Sequence, residues 1–150
     1  MRPNIIKRTS VFLAVVAGLW LGFGEVPRAA DAPPDVKVIA NPSVDASEIS
    51  IEDLKAVFLA LKTTIGGSQV EPVLARSGHA HEVFLRTYLG KSDTALTAYY
   101  RGLVFTGKAS MPKVCDSDAE IVAYVARTKG AVGYVGANVA APGTKTLAIN

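Results

Sequence analysis

The sequence is short of the residues that build disulfides and metal sites. Among its 150 residues it has one cysteine, Cys115, and two histidines, His79 and His81. One cysteine excludes an internal disulfide, and we expect Cys115 to be a buried small residue without a reactive role. A closed metal site needs about four ligands. His79, His81 and Glu82 are too few, so we expect no metal.

The motifs of several enzyme classes are also missing. The stretch "HAHEVF" lacks the second histidine, four residues on, that a zinc metalloprotease needs. Ser77 does not lie in a Gly-x-Ser-x-Gly nucleophile elbow. The glycines of "GAVGYVG" do not form the Gly-x-Gly-x-x-Gly loop of a dinucleotide site. Because no nucleophile can be paired with a base, we predict a protein that is not an enzyme and has no cofactor.

The chain has no apolar run of the roughly 20 residues that a membrane-spanning helix needs. The run "VFLAVVAGLWLGFG" has 14 residues, over 11–24, and follows a basic N-terminus. A basic start, a short apolar run and then small residues are typical of a secretory signal peptide. We predict a signal peptide over residues 1–30, a mature domain over 31–150 and a periplasmic location. An uncleaved membrane anchor is the alternative.

An excess of basic residues is absent once the predicted signal peptide is set aside. The whole chain has a formal net charge of +3, and residues 1–30 carry all of it with four Lys/Arg and one acidic residue. Residues 31–150 therefore hold twelve basic and twelve acidic residues and are neutral. A neutral domain without a Lys/Arg stripe lacks the electrostatic footprint of a nucleic-acid-binding protein. We expect no nucleic-acid partner.

What the mature chain does contain is an alternation of strand and helix patterns. Alternating and β-branched runs predict strands at "VKVIA", "VEPVLA", "AVGYV" and "KTLAI". Ser50 and Ser117 each precede an apolar-periodic run and predict helix starts, and Ser92 or Asp93 predicts another. Pro72 inside the second strand indicates an edge position or a bend. This alternation predicts an α/β domain with a mixed sheet flanked by helices.

The same patterns predict which side chains form the core. Spacings of three and four place Leu61 on the buried face of the first helix, together with Phe58. Each residue of the predicted core lies on an apolar face of its element: Phe58, Val73, Phe84, Val125 and Tyr134.

The stretch "ARSGHAHEVF" passes from a strand into a helix at Arg76, Ser77, Gly78 and His79. The first N–H groups of a helix lack partners and carry the positive end of its dipole, so an anion is favoured there. The Arg76 guanidinium and the Ser77 hydroxyl are further donors, Gly78 lets the backbone come close, and His79 adds charge when protonated. These four residues are the candidate anion-binding site. The alternative is that Ser77 is an ordinary N-cap and Arg76 a solvated side chain.

Three segments, taken in order, resemble one family. They are "IEDLKAVFLALKTTIGGSQVEPVLARSGHAHEVFLRTYLG", "YYRGLVFTGKASMPKV" and "IVAYVARTKGAVGYV". Over about residues 36–136 the chain resembles the phosphate-type substrate-binding proteins of ABC transporters. The resemblance implies a type II periplasmic-binding-protein fold. It matches Arg76, Ser77 and Gly78 to the family's anion loop, with His79 in place of a threonine. A full receptor has two lobes, so a mature domain of this size resembles the short, single-lobe relatives.

The resemblance leaves two functions open. The first is an exported solute-binding-like protein that binds phosphate or another small oxyanion at the turn from Arg76 to His79. The second is an interaction module that docks on a membrane sensor or transporter and has no ligand of its own. The retained Arg-Ser-Gly favours the first function, whereas the missing lobe and the replaced threonine favour the second.

Overall fold

The computed structural model describes residues 35–150, so the predicted signal peptide lies outside the described residues. The strands are β1 (Val36–Ala40), β2 (Glu48–Ile49), β3 (Thr64–Ile65), β4 (Ser68–Gln69), β5 (Glu71–Ala75), β6 (Lys113–Cys115), β7 (Ala131–Gly136) and β8 (Lys145–Ile149). Six of them form one sheet in the order β2-β8-β1-β7-β5-β6, and β3 and β4 form a separate hairpin.

The sheet is mixed. β1 is antiparallel to both of its neighbours, β7 and β8, whereas β5 is parallel to β7 and β6, and β2 is parallel to β8. The helices are α1 (Ile51–Phe58), α2 (His79–Phe84), α3 (Asp93–Phe105) and α4 (Asp118–Arg127), and α2 continues as a π-helical turn over Leu85–Leu89. The predicted α/β fold is confirmed. Within residues 35–150, none of these helices has the length and apolarity to cross a membrane.

Serine caps start three of the four helices. The hydroxyls of Ser50, Ser92 and Ser117 accept from the backbone N–H three residues later, at 3.1, 3.2 and 3.2 Å. Each cap satisfies an N–H group that the helix itself leaves without a partner. The three predicted helix starts are therefore confirmed.

Adjacent residues of β7 contact helices on opposite faces of the sheet. A Cβ added at Gly133 would lie 2.8 Å from Cγ2 of Ile121, so glycine is what allows α4 to pack so closely. The next side chain, Tyr134, lies on the other face, where its ring centroid is 3.8 Å from that of Phe84 and 5.8 Å from that of Phe58. The sheet is thus covered by α4 on one face and by α1 and α2 on the other.

The core is the one that the sequence predicts, with one error. Each of the five predicted residues has an exposed fraction of 0%: Phe58, Val73, Phe84, Val125 and Tyr134. Cys115 is also buried, as predicted. Leu61 is 71% exposed, so its predicted place on the buried face of α1 is wrong. The helix ends at Phe58, and Ala60 takes a φ of 56°, which turns the chain away before Leu61.

Pro72 lies in β5, at a position where this interior strand has a paired neighbour on only one side. It pairs with Val132 of β7, whereas β6 pairs only with the residues from Val73 to Ala75. A proline that lacks a strand on one side costs no ladder hydrogen bond there. The predicted edge position is therefore found locally, although β5 as a whole lies inside the sheet.

Candidate functional site: an exposed turn above a buried polar chain

The candidate anion site lies where the carboxyl end of β5 turns into α2. The residue before α2 is Gly78, with a φ of 110° and a ψ of 167°, and no side chain caps the helix. Such a positive φ is accessible to glycine at little cost. The alternative interpretation of Ser77 as the N-cap is therefore wrong. Gly78 takes the N-cap position, because its conformation delays the first helical residue to His79.

Several backbone N–H groups of the turn have no hydrogen-bond partner in the described part of the chain. Within residues 35–150, no backbone or side-chain acceptor is bonded to the N–H groups of Ser77, Gly78, His79 or Ala80. The first three of these residues are exposed. Unpartnered N–H groups at the start of a helical segment favour negative charge. The turn can therefore donate several hydrogen bonds to one anion.

The side chains of Arg76 and His79 already face carboxylates. Arg76 forms a hydrogen-bonded ion pair with Asp116, and this hydrogen bond and the charge of Asp116 raise the pKa of Arg76. Nε2 of His79 lies 3.6 Å from a carboxylate oxygen of Asp35. Exposed ion pairs of this kind contribute little stability, so an anion can compete for these side chains. The carboxylates nevertheless lower the positive potential at the turn.

A buried polar chain lies directly beneath the turn. His81 is only 2% exposed, unlike the solvated His79. Its Nδ1 lies 2.6 Å from the hydroxyl oxygen of Tyr134, and its Nε2 lies 2.9 Å from Oδ1 of Asp93. The same hydroxyl oxygen accepts from the backbone N–H of Ala75 at 3.0 Å. We call Ala75, Tyr134, His81 and Asp93 the polar chain.

Each hydrogen bond of the polar chain has one direction when His81 is neutral. The Ala75 N–H can only donate, so the Tyr134 oxygen accepts it and the hydroxyl proton is free for Nδ1 of His81. The neutral imidazole then carries its proton on Nε2 and donates it to Asp93. The pKa of Tyr134 is raised, because the effect of burial is larger than the opposite effect of the hydrogen bond from Ala75. Tyr134 therefore keeps the proton that it donates.

Two clefts lie on either side of His81 and Asp93. One has a volume of about 500 Å³ and is also lined by Leu85, Arg86 and Lys91. The other, of about 230 Å³, reaches Arg76, so the cationic turn borders a concave surface. No group of three or more His, Cys, Asp or Glu side chains is placed to hold a metal within the part of the chain that the structure describes.

The sequence does not reveal the polar chain. It predicts Tyr134 as an apolar core residue and gives His81 and Asp93 no shared role. The one usable signal is that a buried tyrosine hydroxyl needs a partner. The partner belongs to another element, and the residue separation between His81 and Tyr134 is 53, which matches no local motif.

Comparison with known proteins identifies the fold. No family model matches the chain, and a search of curated proteins finds no match. An ABC-type phosphate transport receptor from Vibrio cholerae superimposes with a TM-score of 0.60 and 14% identity, over 77% of this chain and 46% of the receptor. PstS from Borrelia burgdorferi gives a TM-score of 0.59 at 15% identity, over 77% of this chain and 47% of its own.

A third similar solved structure contains bound phosphate. It is a Clostridium perfringens protein assigned as a phosphate ABC transporter substrate-binding protein, with bound phosphate. It superimposes with a TM-score of 0.59 and 13% identity, over 77% of this chain and 44% of its own. The fold is therefore that of phosphate-type substrate-binding proteins, as the resemblance implied. This chain spans less than half the length of each of these structures.

Proposed function

We propose that this protein is an exported, non-enzymatic solute-binding-like protein that holds phosphate or a similar small oxyanion at the turn from Arg76 to His79. The observation that carries the proposal is the set of unpartnered N–H groups at this turn, beside an exposed guanidinium. The shared fold supports it, because one protein with that fold was solved with bound phosphate.

The geometry favours weak binding. Arg76 supplies most of the positive charge, because residues 31–150 are neutral and add no long-range field. A guanidinium can form strong, charge-assisted hydrogen bonds to an oxyanion, and the unpartnered N–H groups of the turn are further donors. Asp116 holds the same guanidinium, so the anion must displace a carboxylate. Affinity is therefore set by this competition.

Amide chemical shifts during titration with phosphate and with sulfate test the site. We expect the shifts of residues 76–82 to move with either anion, and Arg76→Ala to abolish the response. Asp116→Asn should strengthen binding, because it removes the competing charge and keeps the side-chain shape. Arg101→Ala is the matched control, since it removes an exposed arginine of α3 and should leave the titration unchanged.

A pair of variants titrated with sulfate tests the contribution of His79. Nε2 of His79 lies 3.6 Å from a carboxylate oxygen of Asp35, so the ring lies at the turn beside a competing acceptor. His79→Gln keeps a side-chain N–H donor, whereas His79→Ala removes it. We expect sulfate affinity to fall more in His79→Ala than in His79→Gln. Equal affinity in the wild type and both variants would show that His79 does not contribute.

Export is part of the same proposal. The N-terminal signal pattern and the fold shared with transport receptors support a periplasmic protein, whose partner is a component of a membrane transporter or sensor. Mass spectrometry of secreted material should show a chain that begins between Ala30 and Pro33. A secreted chain with an intact Met1 contradicts the predicted cleavage.

A second candidate function is an interaction module without a ligand. Large apolar side chains are exposed around the end of α3, and Phe105 is 91% exposed. Exposed apolar side chains of this size are suited to protein contacts. If the shifts of residues 76–82 stay flat up to tens of millimolar of both anions, the anion proposal fails and this function remains.

A further inference from the structure

We infer that the Tyr134 hydroxyl is a clamp that sets the conformation of the turn from Arg76 to His79, with His81 as its second anchor. Tyr134 and His81 are thus positioning residues, because they hold the turn and do not touch the proposed ligand. Its effect on an anion rests on the proposed function, whereas its effect on the turn does not.

The Tyr134 hydroxyl contacts both ends of the segment that it holds. One hydroxyl oxygen contacts the residue immediately before the turn, through the N–H of Ala75 at 3.0 Å. The same oxygen lies 2.6 Å from Nδ1 of His81, in the first turn of α2. Because both ends of the segment from Arg76 to Ala80 are held by a single atom, the path of the chain between them is constrained.

The clamp itself is held rigidly. Tyr134 is fully buried, and its ring stacks on Phe84 with centroids 3.8 Å apart and an interplanar angle of 7°. The ring of Phe58 packs against it from another side, at 5.8 Å. A ring fixed in this way leaves the phenolic oxygen little freedom, so the oxygen can act as a fixed reference point for the turn.

Asp93 fixes the ring of His81, the second anchor. It accepts from Nε2 of His81 at 2.9 Å and is the first residue of α3. This contact sets the orientation of the imidazole, so that Nδ1 faces Tyr134 and not the cleft. The polar chain thus joins β5, β7, α2 and α3 around the turn. Preorganised N–H donors bind an anion more tightly than donors that must be ordered on binding.

Two buried tyrosines allow a matched experiment. Tyr134→Phe removes the clamp and keeps the ring, whereas Tyr100→Phe removes another buried hydroxyl, which donates to the carbonyl of Phe58 at 2.7 Å. We expect Tyr134→Phe to change the amide shifts and ¹⁵N relaxation of residues 77–81 without any anion present. We expect Tyr100→Phe to leave them unchanged. Side-chain ¹⁵N shifts should show His81 protonated on Nε2 in the wild type.

Phosphate titration then measures the functional effect. The affinity of Tyr134→Phe should fall about fivefold or more, the lower end of typical coupling between a packed network and a site. If the wild type binds no anion but only Tyr134→Phe disturbs the turn, the clamp is supported and the proposed function alone fails. If both tyrosine variants leave the turn unchanged, the clamp is wrong. It is also wrong if the wild type binds phosphate and Tyr134→Phe binds it with the same affinity.

A second pair of variants decides the matter if Tyr134→Phe does not fold. His81→Asn keeps an acceptor near the position of Nδ1, whereas His81→Leu replaces the ring with an apolar side chain. We expect the shifts of residues 77–80 to change less in the asparagine variant than in the leucine variant, because only asparagine keeps an acceptor for the Tyr134 hydroxyl. Equal shifts in the two variants would overturn the inference.

Discussion

The rings of Phe84 and Tyr134 stack almost parallel, with centroids 3.8 Å apart and an angle of 7° between their planes. Phe84 is the last residue of α2, and Tyr134 lies in β7. Their contact therefore fixes the helix that follows the candidate anion site onto the middle of the sheet. Both side chains are fully buried, so substituting either one should change the free energy of unfolding measurably.

Phe84→Ala should lower the free energy of unfolding by about 3–5 kcal/mol, because it removes a buried ring and leaves a cavity against Tyr134. Denaturant titration measures the change. Phe105→Ala is the matched control, since Phe105 is 91% exposed and its loss should change stability by no more than about 0.5 kcal/mol. Similar losses in the two variants would contradict the packing of α2.

Gly133→Ala should destabilise the protein by about 1–3 kcal/mol through overpacking. The new methyl group would meet Cγ2 of Ile121 at 2.8 Å, and α4 would have to move away from the sheet. Gly102→Ala offers the opposite case, because no atom other than the neighbouring backbone of α3 itself lies within 4 Å of the added Cβ. It should stabilise by about 0.4–1 kcal/mol. Thermal unfolding of both variants tests the sign of each change.

Two serine variants distinguish a cap from a turn residue. Ser117→Ala should cost about 1 kcal/mol, because its hydroxyl accepts from the N–H of Glu120 at 3.2 Å. Ser77→Ala should leave the unfolding free energy nearly unchanged, since Gly78 holds the N-cap position of α2. If Ser77→Ala costs as much as Ser117→Ala, Ser77 is a cap after all.

Stability should decline in alkali. Burial raises the pKa of Tyr100 from 10.0 to about 12, with a smaller contribution from the charge of Tyr99. The unfolded state therefore loses the Tyr100 proton at a lower pH than the folded state. The stabilisation is complete below about pH 10 and is lost as the pH rises to about 12, at roughly 1.4 kcal/mol per pH unit.

Urea titrations at about pH 9 and about pH 11 measure this decline. Tyr100→Phe should reduce the difference between the two values, because the variant has no phenol to ionise at that position. Burial also raises the pKa of Tyr134, so part of the decline should remain. If the unfolding free energy is the same at both pH values, neither hydroxyl is as buried as the structure shows.

The elements of this fold were predictable because their signals are local. A serine before an apolar-periodic run locates each capped helix, and β-branched alternation locates β1 and β8. The exposed Leu61 shows the limit of periodicity. The pattern continues past Phe58, but the positive φ of Ala60 ends the helix path before Leu61.

The candidate site was predictable only in part because its contacts are between distant residues. The sequence identifies Arg76 and the glycine that follows Ser77, but the pairing of Arg76 with Asp116 joins residues 40 apart. It arises because β5 and β6 are neighbours in the sheet. The polar chain likewise depends on β7 passing beneath α2. Such contacts follow from topology, which no local spacing encodes.

Strand β1 lies between β7 and β8 in the sheet, and both of these strands come from the C-terminal part of the chain. Val36 pairs with Gly136, and Val38 pairs with Leu147. The middle of the sheet therefore closes a loop of about one hundred residues, and pairings of high contact order form slowly. Helices α1 to α4 can form early from local contacts, but they have no complete sheet to cover until β7 and β8 arrive. We therefore expect the long-range pairing of β1 with β7 and β8 to limit the rate of folding.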